Sequence, residues 1–451
     1  RLKVNWQLAD NTKIKFLISQ VDLNDPADIW TIDGSLNTLS DRPGMDSQKT
    51  NSYGMKVFHS FDGFELQSYT SSTDTNVIFS YDADWGNTDS HFPYVYDYFS
   101  ETLRDRKSFN QEFRAVSDSA DFQKNSFFEW VIGANYLELK ESNLKKDDGL
   151  YGDPSDPYGP YASASASSSK YKSSNFSVFG NLDYLLSASL KFSIGLRWED
   201  WEADYSDSLQ ESFNPTDKMS GGKISLIKNM TNDTNMYASL ARGYKQGGFN
   251  LGLGLDANAT NKNLAYDPEF LTNYELGINT KLLDSRITFN GVLFYSDRED
   301  QQVLISTQTD PSDPNTFSFL TQNAAEGVNH GLEINMDMGI NQSLSAFVNL
   351  GILKTEIKNW QSRQDLEGRA QAHAPERSYA LGLNWAPTSH TYLAIDFTGK
   401  SSFYYSDSHN NKSKSYVLTN LNLGYVKNNW NYELWARNIF DEYYSVRGFY
   451  F

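Results

Sequence analysis

The sequence predicts an all-β protein, a large antiparallel transmembrane β-barrel with long extracellular loops and short periplasmic turns. Three observations predict this fold class. Apolar and polar residues alternate along most of the 451 residues, as they do in strands whose two faces meet different environments. Short and long connections between these segments follow each other in regular order. No stretch approaches the roughly 20 apolar residues of a membrane helix, so a membrane-spanning form of this chain must cross as strands.

The alternation is clearest in residues 190–199, which read LKFSIGLRWE. Their apolar members lie on one side of an extended chain and their polar members on the other. The same pattern recurs in RLKVNWQL at 1–8, VNHGLEINMDM at 328–338 and TYLAIDFTGK at 391–400. We count about eighteen such segments, and many approach the roughly 10 residues that one tilted crossing requires.

The connections favour a membrane barrel over a soluble sandwich, because Greek-key links have no reason to alternate in length. The short polar connections are found at 8–12, 60–63, 185–189, 229–234, 282–285, 340–343, 386–390 and 426–430. The long ones are found at 24–52, 74–105, 143–169, 206–217, 246–268, 299–325, 358–376 and 404–414. Short connections are expected on the periplasmic side and long ones outside the cell.

Composition excludes several classes of function. The chain has no cysteine, which rules out disulfide scaffolds and thiol chemistry. A net charge of −18 argues against a nucleic-acid partner, which needs clustered lysine and arginine. The six histidines are scattered and have no metal-ligand spacing. We find no catalytic constellation, so the sequence predicts neither an enzyme nor a cofactor nor a metal centre.

The expected orientation bears on both ends of the chain. The first strand precedes a short turn and the last strand follows one, so both chain ends are expected outside the cell. A closed barrel of this kind needs both termini in the periplasm and no unpaired edge. We therefore expect an odd number of strands to be missing at each end.

Several stretches resemble the barrel of TonB-dependent outer-membrane receptors. They are KSFNQEFRAVSD at 107–118, ARGYKQGGFN at 241–250, the long segment 266–303, GRAQAHAP at 368–375 and WARNIFDEYYSVRGFYF at 435–451. Their order along the chain is also that of the family, and the resemblance covers essentially the whole chain.

This resemblance implies a 22-stranded barrel that imports a scarce nutrient, usually a ferric siderophore, across the Gram-negative outer membrane. About eighteen of those strands are present, and residues 1–451 are expected to form the barrel domain as a fragment that lacks the plug domain. The implied partners are outer-membrane lipid and lipopolysaccharide, the small-molecule ligand, and the TonB–ExbB–ExbD complex acting through the plug.

Ligand capture is expected at the outer mouth, where loops rich in aromatic and hydrogen-bonding groups converge. The candidate residues are Trp85, His91, Tyr94, Tyr96, Arg242, Tyr244 and Lys245. Flat aromatic rings suit catecholate or heterocyclic ligands, and cationic side chains suit anionic chelates. If Tyr237 lies in the inner aromatic girdle, Arg242 shares the opposite, lumenal face.

The pentapeptide DPSDP occurs twice, at 153–157 and at 310–314. Its carboxylates are weak candidates for Ca²⁺ ligands, and a proline-stiffened surface turn is the alternative interpretation. The aspartates concerned are Asp153, Asp156, Asp310 and Asp313.

Two other functions fit part of the pattern. A passive porin-type channel would have the same barrel and no plug. A soluble β-rich carbohydrate-binding protein would bury the apolar strand faces in a packed interior.

Overall fold

The computed structural model describes residues 1–28, 30–118, 127–208, 210–250, 265–308, 317–360, 363–407 and 409–448. It is an all-β structure in which one 3₁₀ turn, Gln364–Leu366, is the helical element among these residues. No helix in the described part of the chain is both long and apolar enough to cross a membrane. The strands are β1 (Leu2–Ala9), β2 (Thr12–Pro26), β3 (Met45–Ser60), β4 (Phe64–Asp82), β5 (Val95–Ser117), β6 (Phe128–Gly152), β7 (Tyr161–Ser187), β8 (Leu190–Asp207), β9 (Ser212–Phe213), β10 (Thr216–Asn229), β11 (Thr234–Lys245), β12 (Gly248–Phe249), β13 (Ala265–Tyr266), β14 (Glu269–Leu282), β15 (Ile287–Gln308), β16 (Phe317–Gly339), β17 (Leu344–Ile357), β18 (Arg377–Trp385), β19 (Thr391–Lys400), β20 (Tyr416–Lys427) and β21 (Trp430–Ala436).

The chain divides into two compact units. Unit 1 consists of residues 1–124, 129–180 and 197–218. Its strands β1 to β6 pair in chain order, each antiparallel to the next. This meander needs only local hairpin connections, because antiparallel neighbours are joined directly at their ends.

Unit 2 consists of residues 125–128, 181–196 and 219–451. Strands β10, β11 and β14 to β21 pair in chain order, again antiparallel throughout. Between β11 and β14, the short strands β12 and β13 pair with each other.

A row of asparagines shows how the register orders the polar face of unit 2. Direct cross-strand partners from β11 to β17 are Asn235, Asn279, Asn290, Asn335 and Asn349. The Asn279 side-chain amide donates a hydrogen bond to the Asn235 side-chain oxygen at 3.0 Å. The row marks one face of five strands as polar.

The opposite face of the same strands is apolar and exposed. Leu276, Leu293, Leu332 and Ile352 form a parallel row of cross-strand partners. Leu276 and Leu293 expose 61% and 55% of their surface. A soluble sandwich would bury such residues between stacked sheets, so this face fits a lipid environment and disagrees with the soluble alternative.

The predicted strand count is confirmed. Of the 21 strands in the described residues, β9, β12 and β13 have two residues each, and the other eighteen have seven or more. Each of the eight predicted short connections joins two consecutive strands, as between Asn229 and Thr234.

Several predicted long connections are shorter than expected, because strands extend into them, whereas the connection 358–376 has the predicted bounds and the one predicted at 404–414 spans residues 401–415. The expected loop 74–105 is reduced to residues 83–94, between β4 and β5. The extra length is paired strand in which polar residues face each other at several positions, as where Asn76 opposes Asp105 and Lys107 lies 3.5 Å from Asp74. Hairpin pairing continues here without apolar alternation, so the alternation underestimates strand length.

The exposed apolar face leads to a test of its surroundings. We expect Leu293→Arg to lower the free energy of unfolding in lipid vesicles by about 2–4 kcal/mol, because an arginine near the middle of a lipid-facing strand must be desolvated. Denaturant titration measures this change. Asn290→Arg, on the polar face of the same strand, is the matched control and should cost much less; equal losses would contradict a lipid-facing Leu293.

Candidate functional site

The loop between β4 and β5 in unit 1, residues 83–94, carries three of the predicted ligand-binding residues, and a fourth, Tyr96, follows at the start of β5. We call it the aromatic loop. It begins with a tight turn in which the Ala83 amide donates to the Tyr98 carbonyl at 2.7 Å and the Trp85 amide donates to the Asp82 carbonyl at 3.3 Å. Trp85 has a φ of +55°, a left-handed conformation that is uncommon outside glycine and that turns the chain sharply at this point.

The Asp84 side chain organises the aromatic loop from within. It is 5% exposed, and its two carboxyl oxygens accept hydrogen bonds from the amides of Gly86 at 3.0 Å and Tyr98 at 3.2 Å. The backbone carbonyl oxygen of Asp84 lies 3.3 Å from His91 Nε2. A Cβ at residue 86 would lie 2.9 Å from both His91 Nε2 and Ser90 Cβ, so a larger residue than Gly86 would force these side chains to shift.

Asp84 also has an altered proton affinity. Burial, and next the hydrogen bond with the neighbouring Asp82 carboxyl, raise the pKa of Asp84 to about 7. The Asp82 side chain is fully buried. The base of the aromatic loop therefore contains a carboxyl group that titrates near neutral pH.

The aromatic rings of this region pack in two groups. Trp85 stacks on Trp30, with ring centroids 6.0 Å apart. His91 meets Tyr96 edge-on at 5.0 Å, and Tyr96 lies 4.7 Å from Tyr98.

The structure thus places Trp85, His91 and Tyr96 in packed aromatic contacts, whereas Tyr94 is 48% exposed. Sequence reasoning missed Trp30 and Tyr98. Both belong to the predicted long connections, but nothing in the local sequence indicates which distant aromatic residue they meet.

A third residue that the sequence did not single out, Arg42, fixes the segment 30–44 beside this loop. Its guanidinium group binds Asp97 at 3.1 Å and Asp148 at 2.6 Å and lies 4.9 Å from the centre of the Phe99 ring. Two carboxylates and one aromatic ring thus anchor the segment to β5 and β6.

The structure contradicts the expectation that Arg242 faces the lumen. In unit 2, Arg242 shares the face of β11 that bears Met236 and Leu240, which are 47% and 42% exposed. Tyr237 lies on the other, polar face, where its hydroxyl donates to Glu275 at 3.5 Å. The expectation was wrong because it placed Tyr237 on the apolar face. The Tyr237 hydroxyl has a carboxylate partner on the polar face, so Arg242, on the opposite face, lies on the apolar one.

The Arg242 guanidinium group contacts an aromatic ring and a backbone carbonyl at the outer end of the apolar face. It lies 4.0 Å from the centre of the Phe270 ring and donates to the Ser220 carbonyl at 2.7 Å. Tyr244 shares this face, whereas Lys245 lies on the polar face opposite Glu269. Of the three candidates on β11, Lys245 is the one on the polar face.

The first DPSDP turn uses its carboxylates locally. Asp153 accepts hydrogen bonds from the Ser155 hydroxyl and amide, both at 2.7 Å, and these bonds hold the pKa of Asp153 below its ordinary value. Asp156 accepts from the Tyr158 amide at 2.9 Å and the Tyr161 hydroxyl at 2.8 Å. These contacts support the surface-turn interpretation.

The second DPSDP turn, with Asp310 and Asp313, lies outside the described residues. Within the residues that are described, no group of three or more histidines or carboxylates is arranged to hold a metal ion.

A buried arginine joins two outer connections of unit 2. Arg369, in the GRAQAHAP stretch, is paired with Asp407 at 3.2 Å, and their side chains are 8% and 15% exposed. It also donates to the carbonyls of Ser406 at 2.9 Å and His409 at 2.8 Å and lies 4.3 Å from the centre of the Tyr404 ring. The connection after β17 is thereby tied to the connection after β19.

We expect Arg369→Ala to release these two connections, because it leaves Asp407 buried without its counter-charge, a loss of about 3–5 kcal/mol. Hydrogen exchange of residues 403–407 measures the release. Arg363→Ala is the matched control: it removes a more exposed pair with Asp365, which should contribute at most ~1 kcal/mol. Unchanged protection in Arg369→Ala would refute this assignment.

Known proteins share this architecture. The sequence matches the family model described as TonB dependent receptor-like, beta-barrel, over residues 5–439. The ferric yersiniabactin uptake receptor FyuA from Yersinia pestis superposes with a TM-score of 0.73 at 16% identity, over 98% of this chain and 65% of that one. The siderophore receptor PiuA from Acinetobacter baumannii gives 0.76 at 16% identity, over 99% and 70%. BauA, the ferric preacinetobactin receptor of the same organism, gives 0.69 at 15% identity, over 98% and 67%.

At such low sequence identities, the similarity to these structures shows the fold alone. This chain covers 65% of the length of FyuA. The family match rests on the sequence itself and covers nearly the whole chain. Together they confirm the predicted fold class, a large antiparallel transmembrane β-barrel. The chain belongs to the TonB-dependent receptor-like β-barrel family, whose place is the outer membrane of Gram-negative bacteria.

Proposed function

We propose that residues 1–451 form the barrel domain of a TonB-dependent receptor that imports a scarce nutrient, with a ferric siderophore as the favoured cargo. The family match over residues 5–439 is the observation that carries this proposal. The family is one of transporters and receptors, not of enzymes. We infer accordingly that the chain binds and conducts its ligand without changing it chemically.

The neighbouring structures support iron as the cargo. FyuA, PiuA and BauA are described as receptors for ferric yersiniabactin, a siderophore and ferric preacinetobactin. OprC, with the same fold at a TM-score of 0.72, is described as a copper transporter. Two of the four descriptions name a ferric ligand and a third names a siderophore, so we favour a ferric siderophore over copper.

The chemistry of the aromatic loop supports a flat, partly aromatic ligand. Trp85 with Trp30, and His91 with Tyr96, offer ring surfaces of the kind that stack on catecholate or heterocyclic groups. In unit 2, Lys245 offers a positive charge on the polar strand face, which suits an anionic chelate. We therefore retain Trp85, His91, Tyr94, Tyr96 and Lys245 as ligand contacts, and we assign Arg242 and Tyr244 to the outer rim of the apolar face.

The proposed partners follow from the same function. The exposed row with Leu276 and Leu293 would contact outer-membrane lipid, and the rim above it lipopolysaccharide. A plug domain would occlude the lumen and transmit the pull of the TonB–ExbB–ExbD complex.

Energy dependence tests the proposal against a passive channel. A strain that expresses the receptor is offered a panel of ferric catecholates and hydroxamates that carry radioactive iron. Its accumulation of iron should stop when the proton-motive force is collapsed. Surface binding should survive the collapse, because capture precedes energy use. Accumulation that persists and simply follows the external concentration would indicate a porin-type channel instead.

Binding tests the aromatic loop. We expect Trp85→Ala to weaken binding of the transported ferric siderophore at least about tenfold, or ~1.4 kcal/mol, because it removes a large stacking surface. Quenching of protein fluorescence measures the affinity. Tyr158→Ala, which removes an exposed ring in another loop of unit 1, is the matched control, and equal losses in both variants would contradict a contact at Trp85.

A further inference from the structure

Two buried carboxyl groups, two positions apart in the chain and within hydrogen-bonding reach of each other, lie where β4 runs into the aromatic loop. Asp82 is 0% and Asp84 is 5% exposed. Asp84 has both oxygens occupied by the amides of Gly86 and Tyr98. Asp82 Oδ2 accepts from the Asp41 amide at 3.2 Å, whereas Asp82 Oδ1 is buried with no hydrogen-bond donor among the described residues.

The surroundings supply little positive charge to this pair. The titratable and charged residues around the pair come from the described residues of segment 28–44, from the aromatic loop, and from β5 and β6. They are Asp28, Asp41, Arg42, Asp89, His91, Asp97, Tyr98 and Asp148. Arg42 directs its guanidinium group to Asp97 and Asp148. Asp28 adds a further carboxylate, which accepts from the Asp82 amide at 2.9 Å.

Two ionised carboxylates in contact repel each other strongly when both are buried and no cation lies between them. One proton between them removes the repulsion and converts it into a hydrogen bond. Three of the four carboxyl oxygens accept backbone amides, and Asp82 Oδ1 is the one that lacks a donor, so one proton shared within the pair leaves those amide contacts undisturbed.

We propose that Asp82 and Asp84 share a single proton that holds the aromatic loop in its ligand-binding conformation, and that this hold weakens as the solution becomes less acidic. They are positioning residues. Asp84 is bonded to Gly86, Tyr98 and His91, and the Asp82 carbonyl accepts from the Trp85 amide, so separation of the two carboxyls displaces both ends of the turn. The effect on ligand capture rests on the function proposed above; the effect on the loop does not.

The direction of the pH effect follows from the proton affinities. The folded loop keeps a pKa near 7 for Asp84, whereas a solvent-exposed aspartate has an ordinary value of 3.8. Between these values the closed loop binds more protons than the open one, so closure is strongest in acid, weakens as the pH rises through this window and levels off above about 7. The equilibrium constant for opening of the loop should rise by up to tenfold per pH unit in this window.

Hydrogen exchange of residues 83–94, with the receptor in bilayer nanodiscs, measures the opening equilibrium without any ligand. After correction for the intrinsic pH dependence of exchange, the wild type should lose protection about tenfold per unit between pH 5 and 7 and little more at pH 8. Asp82→Asn should remove this dependence, because its amide donates permanently to Asp84 and its oxygen still accepts from Asp41. Asp84→Asn is the second variant and should also be independent of pH.

Asp89→Asn, an exposed change in the same loop, is the matched control and should keep the wild-type slope. A flat wild-type profile, or an unchanged slope in both Asp82→Asn and Asp84→Asn, would overturn the proposal. So would protection at pH 7 that disappears on adding a chelator, since a divalent cation would then occupy the place assigned to the proton.

The consequence for capture is measured separately. The affinity for one ferric catecholate and one ferric hydroxamate is measured for the wild type and for Asp82→Asn. The ratio of the two affinities cancels the effect of titration of the ligands themselves. This ratio, wild type over variant, should fall as the pH rises from 5 to 7. If neither probe binds at any pH, the siderophore proposal is contradicted. The hydrogen-exchange measurement then decides the role of Asp82 and Asp84 by itself. Binding with a constant ratio, alongside a pH-dependent loop, would overturn the link from loop to capture.

Discussion

The ladder of backbone hydrogen bonds between adjacent antiparallel strands is the interaction on which the rest of this structure depends. In hydrocarbon an unsatisfied amide or carbonyl costs several kcal/mol, so every crossing segment must be paired with its neighbours. Pairing sets the register, and a strand has a side-chain period of two. The row that begins Asn235–Asn279 and the row that contains Leu276–Leu293 are consequences of one register, seen from opposite faces of the same strands. Changing that register by one residue would exchange the two rows.

This constraint explains how much the sequence reveals. The strands and the eight short connections were predicted because both leave local signals, in alternation and in polar turn residues. The ends of the strands beyond the membrane left no such signal. There both faces meet water, so a pair such as Asp74 and Lys107 is as acceptable as an apolar pair. The alternation disappears although the ladder continues.

The face of Arg242 shows a second limit. Alternation states which residues share a face but not which of the two faces is polar when aromatic residues occur on both. The hydrogen bond from Tyr237 to Glu275 decides this, and it joins residues 38 positions apart. Arg369 with Asp407, also 38 positions apart, and Trp30 with Trp85 are of the same kind. Such contacts between distant residues form only when the folded strands bring the residues together, and the candidate site consists largely of them.

The connections outside the membrane meet the same demand for paired backbone groups by other means. Where β4 ends and β5 begins, backbone amides lack a partner in the neighbouring strand, and the Asp84 carboxyl accepts one from Gly86 in the loop and one from Tyr98 in β5. An asparagine would offer one oxygen for two amides, whereas a carboxylate offers an acceptor to each. Both oxygens of Asp84 are thereby occupied, and Asp82 Oδ1 lacks a donor. In the proposal above, one proton shared by the pair supplies the missing donor, so the contacts that close the loop also make its closure depend on acid.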